Sequence, residues 1–450
     1  MRLLAKSAPR CKQLNKVREI ISEEIRQRGI ISFARFMELA LYCPLYGFYE
    51  RERDIIGRGG DFYTSVSVGN LFGELLAWEF AEWFADGFPP KSASLYGPAN
   101  SLARGPLSSS LPSQSCSNVG GAAEAFSNSS EYSFPGNGRD ADSAKTQRAR
   151  AQPNLSKAQL VEAGAHDGRL ARDILVWLKE NRPALFERLE YWIIEPSPRR
   201  QLWQQQTLTD FSGQIRWASG IEELGRLQKQ GINGIIFSNE LLDSFPVHRL
   251  GWDPNQRAWF GWGVTIRDGD FCWARMESQE SDLGSPAKHP AAGSLSRVLS
   301  SHELSNDFTL EVGLAADEWW RAAACLLKRG KLLTFDYGYA AEELLLPERG
   351  QGTLRTYRGH HVSRDLLASP GEQDLTAHIN FSAIQAAGES AGLTTETFAT
   401  QEQFLTRIFT QISKGGSDFG EWTPERTRQF KTLVHPEHLG RAFRVLVQSR

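Results

Sequence analysis

The chain has few cysteines, almost no net charge and no long apolar run, and each shortage narrows what the protein can be. Its five cysteines among 450 residues are scattered, with no C-x-x-C pair, which argues against disulfides or structural zinc and favours a reducing compartment. A formal net charge of −2 gives no general attraction to nucleic acid. No apolar run approaches the ~20 residues that span a bilayer. We therefore predict neither a nucleic-acid partner nor a membrane span.

Acidic residues are absent from the first eighteen positions, where the charged side chains are all lysine or arginine and the first acid is Glu19. We interpret this stretch as a basic lead-in to the first helix, and together with the cysteine usage it predicts a cytoplasmic protein. A mitochondrial location is the alternative, because transit peptides are basic and poor in acids.

Branched apolar side chains are scarce between residues 92 and 155, where Ser, Gly, Ala, Pro and Asn dominate. Such a segment cannot offset its ordering entropy by burial, so we predict a disordered, low-complexity insertion. This insertion divides the chain into an N-terminal helical region, residues 1–91, and a core, residues 156–450.

The core alternates apolar strands with helical patterns. This order predicts right-handed crossovers and a parallel sheet that is covered by helices on both faces. The predicted strands are Leu160–Ala163, Tyr191–Ile194, Ile215–Ala218, Gly234–Ser238 and Lys331–Phe335, and the predicted helices are Arg169–Lys179, Pro198–Leu208 and Asp317–Leu327.

Two further features belong to the core. Residues 246–310, between the fourth and fifth strands, contain the turn sequences Asp253-Pro254-Asn255 and Asp268-Gly269, which predict an antiparallel β insertion. The tail, with helices near 381–392 and 401–412 and a final strand, is expected to complete the sheet.

Polar residues follow the predicted strands at their carboxyl ends, where open α/β sheets bind ligands. In chain order they are Glu162, Gly164, His166, Asp167 and Gly168 after the first strand, Glu195 after the second, Glu222 after the third, Asn239, Glu240 and Asp243 after the fourth, and Asp336 after the fifth.

This set favours a nucleoside cofactor without a phosphate. The carboxylate of Glu195 can accept two hydrogen bonds from ribose hydroxyls, and Gly164 and Gly168 allow the backbone to approach a ligand. The turn lacks a full G-x-G-x-x-G, and Asp167 stands where a pyrophosphate would bring negative charge. A cation that carries ribose, S-adenosylmethionine, therefore fits better than NAD, which is the alternative.

Six segments resemble the MidA-like family of S-adenosylmethionine-dependent methyltransferases, and the resemblance covers nearly the whole chain outside residues 92–155. The segments are ISFARFMELALYCPLYGFY (31–49), GDFYTS (60–65), VEAGAHDGRLARDIL (161–175), NELLDSFPVHR (239–249), DLTAHINFS (374–382) and HPEHLGRAFRVL (435–446).

The resemblance implies an α/β fold with a Rossmann-like, seven-stranded class I methyltransferase sheet, an antiparallel last strand and extra helices. It also implies S-adenosylmethionine as the cofactor and, by analogy with a mitochondrial member, an arginine side chain of a protein as the substrate. That protein would be a respiratory-complex or other assembly partner. By resemblance, Glu162, Gly164 and Gly168 form the cofactor loop, Glu195 is the ribose acid, and Asn239 with Glu240 is the floor near the reacting methyl group. His166 and Glu222 join the predicted cofactor-binding residues because they follow the first and third strands.

Methyl transfer depends chiefly on holding the nucleophile in line and excluding water. A guanidinium must also be oriented and partly deprotonated, and Glu240 and Asp243 are expected to face it together if their segment is helical. Asp61, in the GGDFYT stretch, is a further candidate on the substrate side.

Asp374 and His378, with His360 and His361 upstream, lack the regular spacing of a metal site. A hydrogen-bonded helix start or a wall of the substrate site is the preferred interpretation, and no metal is predicted.

Two other functions stay open at this point. The turn Gly164-Ala165-His166 departs from the GPG usual in the family, which is compatible with an assembly or chaperone factor that keeps the fold but turns over weakly. A methyltransferase for a small molecule is the other possibility. Binding of S-adenosylmethionine separates the two methyltransferase hypotheses from the assembly-factor hypothesis. Transfer of a labelled methyl group into either the protein fraction or the small-molecule fraction of a lysate then separates the two kinds of substrate.

Overall fold

The computed structural model describes residues 10–50, 64–88, 157–276, 308–358, 361–363, 365–415 and 419–450. The predicted disordered insertion at 92–155 and the candidates Asp61 and His360 lie outside the described residues. So do residues 277–307, the middle of the predicted antiparallel insertion. Every helix in the described part is too short or too polar to cross a lipid bilayer.

The strands and helices are numbered in chain order. The strands are β1 (Ile31–Ser32), β2 (Ala158–Ala163), β3 (Leu189–Ile194), β4 (Ile215–Ala218), β5 (Ile232–Asn239), β6 (His248–Asp253), β7 (Ala258–Arg267), β8 (Asp270–Met276), β9 (Thr309–Val312), β10 (Leu327–Tyr339), β11 (Arg355–Arg358), β12 (His361–Ser363), β13 (Asp374–Thr376), β14 (Ile379–Asn380), β15 (Thr394–Thr400) and β16 (Phe443–Ser449). The helices are α1 (Arg10–Arg28), α2 (Phe33–Tyr42), α3 (Ser65–Val68), α4 (Leu71–Asp86), α5 (Arg169–Asn181), α6 (Pro183–Phe186), α7 (Pro198–Thr207), α8 (Ile221–Leu227), α9 (Leu314–Leu326), α10 (Ala341–Leu344), α11 (Phe381–Ser390), α12 (Gln401–Gly415) and α13 (Pro424–Val434).

The main sheet has the strand order β15-β16-β10-β5-β2-β3-β4, and β14 pairs with the end of β10. Strands β4, β3, β2, β5 and β10 run parallel to their neighbours within this group, whereas β16 is antiparallel to both β10 and β15. The five predicted core strands are confirmed. Strand order reverses between β2 and β5, so the ligand site of such a sheet is expected at their carboxyl ends.

Successive residues of the central strands serve two separate cores, as a sheet that is covered on both faces requires. Leu160 and Ile235 pack with residues of α4, α5, α12 and α13. Val161 and Ile236 pack on the opposite face with residues of α8, α9 and α11. This alternation explains why both strands are apolar along their whole length.

A second sheet contains the strands of the predicted antiparallel β insertion, β6 to β9, which are called the meander below. The strand order is β1-β7-β6-β9, and β8 pairs with the other side of β7. Strand β1 comes from the N-terminal region, which is therefore not purely helical. The ring of Phe33, the first residue of α2, lies 5.1 Å from that of Trp273 in β8, and Thr265 donates a hydrogen bond of 2.8 Å to the carbonyl of Gly29. The N-terminal residues and the meander thus share one core.

Some elements differ from the sequence expectation. Strand β10 extends four residues beyond the predicted segment at each end, and β15, α13 and the small sheet β12-β11-β13 were not predicted. Strand β15, with the sequence TTETFAT, has one buried residue, Ala399. Its pairing with β16, rather than an apolar face, defines it as a strand.

Candidate functional site

A cavity of about 790 Å³ opens at the carboxyl ends of the central strands, at the reversal of strand order. Its walls bring together most of the residues that the sequence singled out. These are Glu162, Gly164, His166, Glu195, Glu222, Asn239, Glu240 and Asp243. Gly168 does not line the cavity, and Asp61 is outside the described residues.

The turn after β2 forms one wall of the cavity. Gly164 has a φ of +74°, and a Cβ there would lie 2.8 Å from Cδ1 of Leu241, so glycine is required on two grounds. His166 follows with a φ of +48°, and its buried Nε2 atom has no hydrogen-bond partner among the described residues. Backbone and imidazole are thus both turned toward space that a ligand can fill.

Gly168 has a different environment. It has a φ of +85°, and a Cβ would meet Cδ1 of Leu208 at 3.2 Å and Cα of Gln204 at 3.4 Å. The glycine therefore allows α5 to start close against α7. This placement assigns it to helix packing, whereas the cofactor contact that the resemblance implied stays a prediction.

Glu162 is buried at the end of β2 and accepts a hydrogen bond of 2.7 Å from the hydroxyl of Tyr191 on the adjacent strand. Burial raises the pKa of this carboxyl to about 8, although the Tyr191 hydrogen bond opposes the rise. The folded protein therefore holds the proton of this carboxyl to a higher pH than an exposed glutamate would.

Glu195 follows β3 and is held by the first turns of α7. Ser197 caps that helix by accepting a hydrogen bond from the amide of Arg200, and Pro198 occupies the first helical position. The Ser197 amide donates to Oε1 of Glu195 at 3.0 Å, and Nε2 of Gln204 donates to Oε2 at 3.1 Å. Burial raises the pKa of the Glu195 carboxyl, against the nearby positive charge of Arg200.

Glu222 lies in the first turn of α8, where it is exposed and lines the cavity. The neighbouring Glu223 makes the local hydrogen bonds instead, because its carboxylate accepts the amide of Ser219 at 2.6 Å. The two acids therefore differ in role, with Glu223 fixing the helix start and Glu222 facing the cavity.

Asn239 is the last residue of β5, and Glu240 follows it directly. The Asn239 amide donates to Oε1 of Glu240 at 3.1 Å, while its own Oδ1 is buried with no partner among the described residues. Burial, together with the charge of Asp336, raises the pKa of the Glu240 carboxyl to about 8. Glu240 and Asp243 do not share a helix, so the condition under which they were expected to face the substrate together is not met. Glu240 has a φ of +51° and begins a turn that leads into a short 3₁₀ helix, Leu242–Ser244.

Asp336 was expected at the tip of the fifth strand but lies inside β10, fully buried. Its Oδ2 accepts the amides of Leu241 and Leu242 at 3.1 and 2.9 Å, and its Oδ1 accepts the amide of Tyr337 at 2.8 Å. Asp336 therefore shapes the turn that carries Glu240 and Asp243. Burial raises its pKa to about 7.

Glu240, Asp243 and Asp374 all line the cavity, and Asp243 is close enough to the other two acids to feel their charge. Burial and the charges of Asp336, Asp374 and Glu240 raise the pKa of Asp243 well above its usual range. The buried ion pairs of the described chain lie elsewhere, and none of its lysines or arginines forms a salt bridge with Glu240 or Asp243. Those pairs are Lys331–Glu396, Arg407–Glu79 and Arg426–Glu74.

Aromatic side chains face these acids. Five tyrosines and a histidine line this end of the cavity, namely Tyr42, Tyr49, Tyr337, Tyr339, Tyr357 and His378. Burial lowers the pKa of His378 to about 4, so the imidazole is neutral, and its Nδ1 atom has no partner among the described residues. The substrate-wall interpretation of Asp374 and His378 agrees with their place in the lining. The described residues contain no group of three or more histidines, cysteines or acids that could hold a metal ion.

Sequence reasoning missed the tyrosines because they belong to the N-terminal segment and to β10 and β11, far along the chain from the cofactor-loop motif. Tyr42 and Tyr49 lie within the quoted segment 31–49, and that aromatic-rich stretch was the available signal. Nothing in its spacing indicates that it reaches the sheet.

A mainly parallel sheet with its cavity at the reversal of strand order, walled by acids rather than by a phosphate-binding helix start, is the arrangement of a protein that binds a nucleoside ligand. Residues 144–399 match the model of a family described as "Putative S-adenosyl-L-methionine-dependent methyltransferase". That match covers more than half of the chain, and the protein belongs to this family. It is accordingly an S-adenosyl-L-methionine-dependent methyltransferase of the MidA-like type, as its sequence motifs implied.

Named relatives and a solved structure agree with this assignment. "Protein arginine methyltransferase NDUFAF7, mitochondrial" of Danio rerio is 23% identical over 451 residues, which are 94% of this chain and 84% of the relative. The Drosophila melanogaster homologue of that name is 25% identical over 393 residues, 82% and 69% of the two chains. A "likely methyl transferase" from Burkholderia thailandensis, solved with S-adenosyl-homocysteine, has a TM-score of 0.70 and 24% identity, and the match covers 99% of this chain and 95% of that one. The structural likeness establishes the fold.

Proposed function

We propose that this enzyme methylates an arginine side chain of a protein. The observation that carries the proposal is that Glu240, Asp243 and Asp374 line one cavity with the turn after β2, and that Glu240 and Asp243 form no salt bridge with a lysine or arginine of the described residues. Buried carboxyl groups such as those of Glu240 and Asp243 are costly unless a cationic ligand joins them. A planar guanidinium, with its several N–H donors, suits a group of carboxylates better than any neutral substrate does.

The named relatives support the same substrate. Both the Danio rerio and the Drosophila melanogaster proteins are called protein arginine methyltransferases.

The cofactor half of the cavity fits S-adenosylmethionine. Glu195 would accept the ribose hydroxyls, Gly164 lets the backbone come close, and the unpartnered Nε2 of His166 and Oδ1 of Asn239 offer polar contacts. Glu162 and Glu222 complete the polar lining, and Gly168 would act through the start of α5. When bound, the cofactor supplies an electrophilic methyl group.

The substrate half of the cavity contains the acids that are proposed to act on the guanidinium. Glu240 follows β5 directly and precedes Leu241, whose Cδ1 lies 2.8 Å from where a Cβ on Gly164 would stand. We assign it the tasks of orienting the guanidinium and taking its proton, with Asp243 beside it as a second acceptor. Thr64 lines the cavity. Asp61, three positions earlier in the sequence, stays a candidate on the substrate side.

The finer fold assignment is part of the same proposal. The path β15-β16-β10-β5-β2-β3-β4 is assigned as the seven-stranded sheet of a class I methyltransferase, with the antiparallel β16 next to its edge. Strands β6 to β9 are assigned as an insertion into that sheet, between β5 and β10.

A mitochondrial location is proposed in place of a cytoplasmic one. Both relatives carry the word mitochondrial in their names, the first eighteen residues are basic, and no comparison supports the cytoplasmic prediction. An assembly partner, such as a respiratory-complex subunit, is the proposed class of protein substrate. Fractionation of cells that express a C-terminally tagged chain tests the location.

Transfer of labelled methyl groups tests the function. A lysate from cells that lack this protein is incubated with the enzyme and methyl-labelled cofactor, and the protein fraction is hydrolysed to amino acids. Label in methylarginine supports the proposal. Label only in the small-molecule fraction favours the small-molecule alternative, and cofactor binding in calorimetry without any transfer favours the assembly factor.

A further inference from the structure

Tyr49 and Asp374 join two segments of the chain that the cofactor site does not explain. The Tyr49 hydroxyl donates to Oδ1 of Asp374 at 2.8 Å across a separation of 325 residues. Tyr49 lies in a short 3₁₀ helix, Phe48–Glu50, after α2, and Asp374 begins β13. Both side chains line the cavity.

Tyr49 is fixed from the cofactor side. Nε of Arg200, in the first turns of α7, donates to the Tyr49 carbonyl at 3.1 Å, and its guanidinium lies 4.8 Å from the centre of the Tyr49 ring. One residue further, the Ser197 hydroxyl bonds the Glu50 carboxylate at 3.0 Å. The Ser197 amide also holds Glu195. The helix start that positions the ribose acid therefore positions Tyr49 as well.

Asp374 is fixed beside the other two acids. The amide of Ala377, three residues on, donates to the carbonyl of Asp243 at 2.9 Å, so β13 is docked on the turn that carries Asp243. The Leu375 amide donates to the same carboxylate oxygen of Asp374 that Tyr49 contacts, at 2.8 Å. These contacts restrain the rotation of the Asp374 side chain within the cavity wall.

We propose that Asp374 is a third carboxylate that contacts the substrate guanidinium, and that Tyr49 is the positioning residue that aims it. This inference rests on the proposed arginine substrate. A guanidinium offers five N–H donors in a plane, more than Glu240 and Asp243 satisfy as single partners, whereas a lysine ammonium offers three. Because Tyr49 is anchored to α7, the same helix start orders both the cofactor acid and the substrate acid.

The test compares Tyr49→Phe, Asp374→Asn and the double variant with the wild-type chain. The probe is the protein fraction of a lysate from cells without this enzyme, titrated at saturating labelled cofactor. Asp374→Asn is expected to raise the half-saturating lysate concentration about tenfold or more, and Tyr49→Phe several-fold. Cofactor Kd is expected to stay within about twofold for both. If Tyr49 acts through Asp374, the double variant behaves like Asp374→Asn alone.

Tyr46→Phe is the matched control, because Tyr46 lies on the same segment but does not line the cavity. It is expected to behave like wild type.

Additive effects of Tyr49→Phe and Asp374→Asn in the double variant would overturn the role of Tyr49. A loss of cofactor affinity that matches the loss of transfer would overturn it as well. If Tyr49→Phe does not fold, wild-type half-saturation in Asp374→Asn still overturns the third-acid assignment. Methylarginine in the wild-type product with unchanged variants refutes this inference alone, and a product other than methylarginine refutes the proposed function as well.

Discussion

The side-chain amide of Gln204 donates to Oε2 of Glu195 at 3.1 Å, and both residues are buried. The same amide also donates to the carbonyl of His166 at 3.0 Å. One side chain of α7 therefore ties the acid after β3 to the turn after β2. The two walls of the cofactor half of the cavity are held at a fixed separation by these contacts.

Glu195→Ala is expected to weaken cofactor binding at least about a hundredfold. Two hydrogen bonds from ribose hydroxyls to a charged acceptor would be lost, and each contributes about 1.5–3 kcal/mol. Titration calorimetry measures the effect. Glu190→Ala, at the opposite end of the same strand, is the control and is expected to bind like wild type. An unchanged dissociation constant in Glu195→Ala would show that the ribose binds elsewhere.

Glu240→Gln is expected to lower methyl transfer about a hundredfold or more, because the side chain keeps its shape but loses the charge that orients and deprotonates the guanidinium. Cofactor affinity should change little, since the cofactor contacts come mainly from β2 and β3. Single-turnover transfer to lysate protein measures the rate. Lost folding stability with normal transfer per folded molecule would assign Glu240 a structural role instead.

The pH dependence of transfer should report the acids near the substrate. The pKa of Glu240 is raised to about 8, and the base must be ionised to act, so kcat/KM at saturating cofactor is expected to rise with pH up to about 8. This rise in kcat/KM reports the acids as a group, because the charges of Asp243, Asp336 and Glu240 affect one another's pKa values. Replacing Glu240 by Gln should remove the rise or shift it to another pH. A flat profile in the wild type from pH 6 to 9 would contradict the assignment.

Stability of the cofactor-free protein is expected to fall as the pH rises from about 5 to 8. The folded-state pKa of Glu162 is about 8 against an ordinary value of 4.5, so across that window the folded chain keeps a proton that the unfolded chain has released. More protons bound to the folded state means that stability decreases with pH. Glu162→Gln should flatten this slope and be more stable than wild type at pH 8.

Urea unfolding at pH 5 and pH 8 measures both chains. Equal slopes for wild type and Glu162→Gln would show that Glu162 is ionised in the folded protein, against the effect of its burial.

Replacing residues 92–155 by a short Gly/Ser bridge is expected to leave Tm and cofactor Kd nearly unchanged. The flanking described elements, α4 and β2, are each buried in the core by their own side chains. Differential scanning calorimetry and cofactor titration test the deletion. Insoluble protein, or lost binding, would show that the removed segment packs on the core.

The alternating core could be predicted because each strand is apolar on both faces and each helix follows its strand directly. Ile215–Ala218 was predicted with its observed bounds. Asp336 was misplaced for a physical reason, since an acid within an apolar strand resembles a strand end until its three backbone hydrogen bonds are known. No local pattern signals that a carboxylate is satisfied by amides that lie more than ninety residues earlier in the chain.

The cofactor half of the cavity was predictable, because its residues follow successive strands of one sheet. The substrate half was only partly so. Glu240 and Asp243 stand in one motif, but Tyr49 and Asp374 meet only through the tertiary fold, and the sequence does not encode that contact locally. Glu240, which has a positive φ, likewise donates its backbone amide to the carbonyl of Phe335, a hydrogen bond that only the tertiary fold creates.

The hydrogen bond between Tyr49 and Asp374 sets an order of events during synthesis. At ~5–20 residues per second, a ribosome needs roughly 16–65 s to make the chain between them. During that time the apolar face of α2 lacks part of its cover, because the core that it shares also contains Leu354, Leu375 and Ala377. The substrate wall therefore cannot form on a nascent chain that ends before β13, and a prematurely terminated product is expected to be inactive.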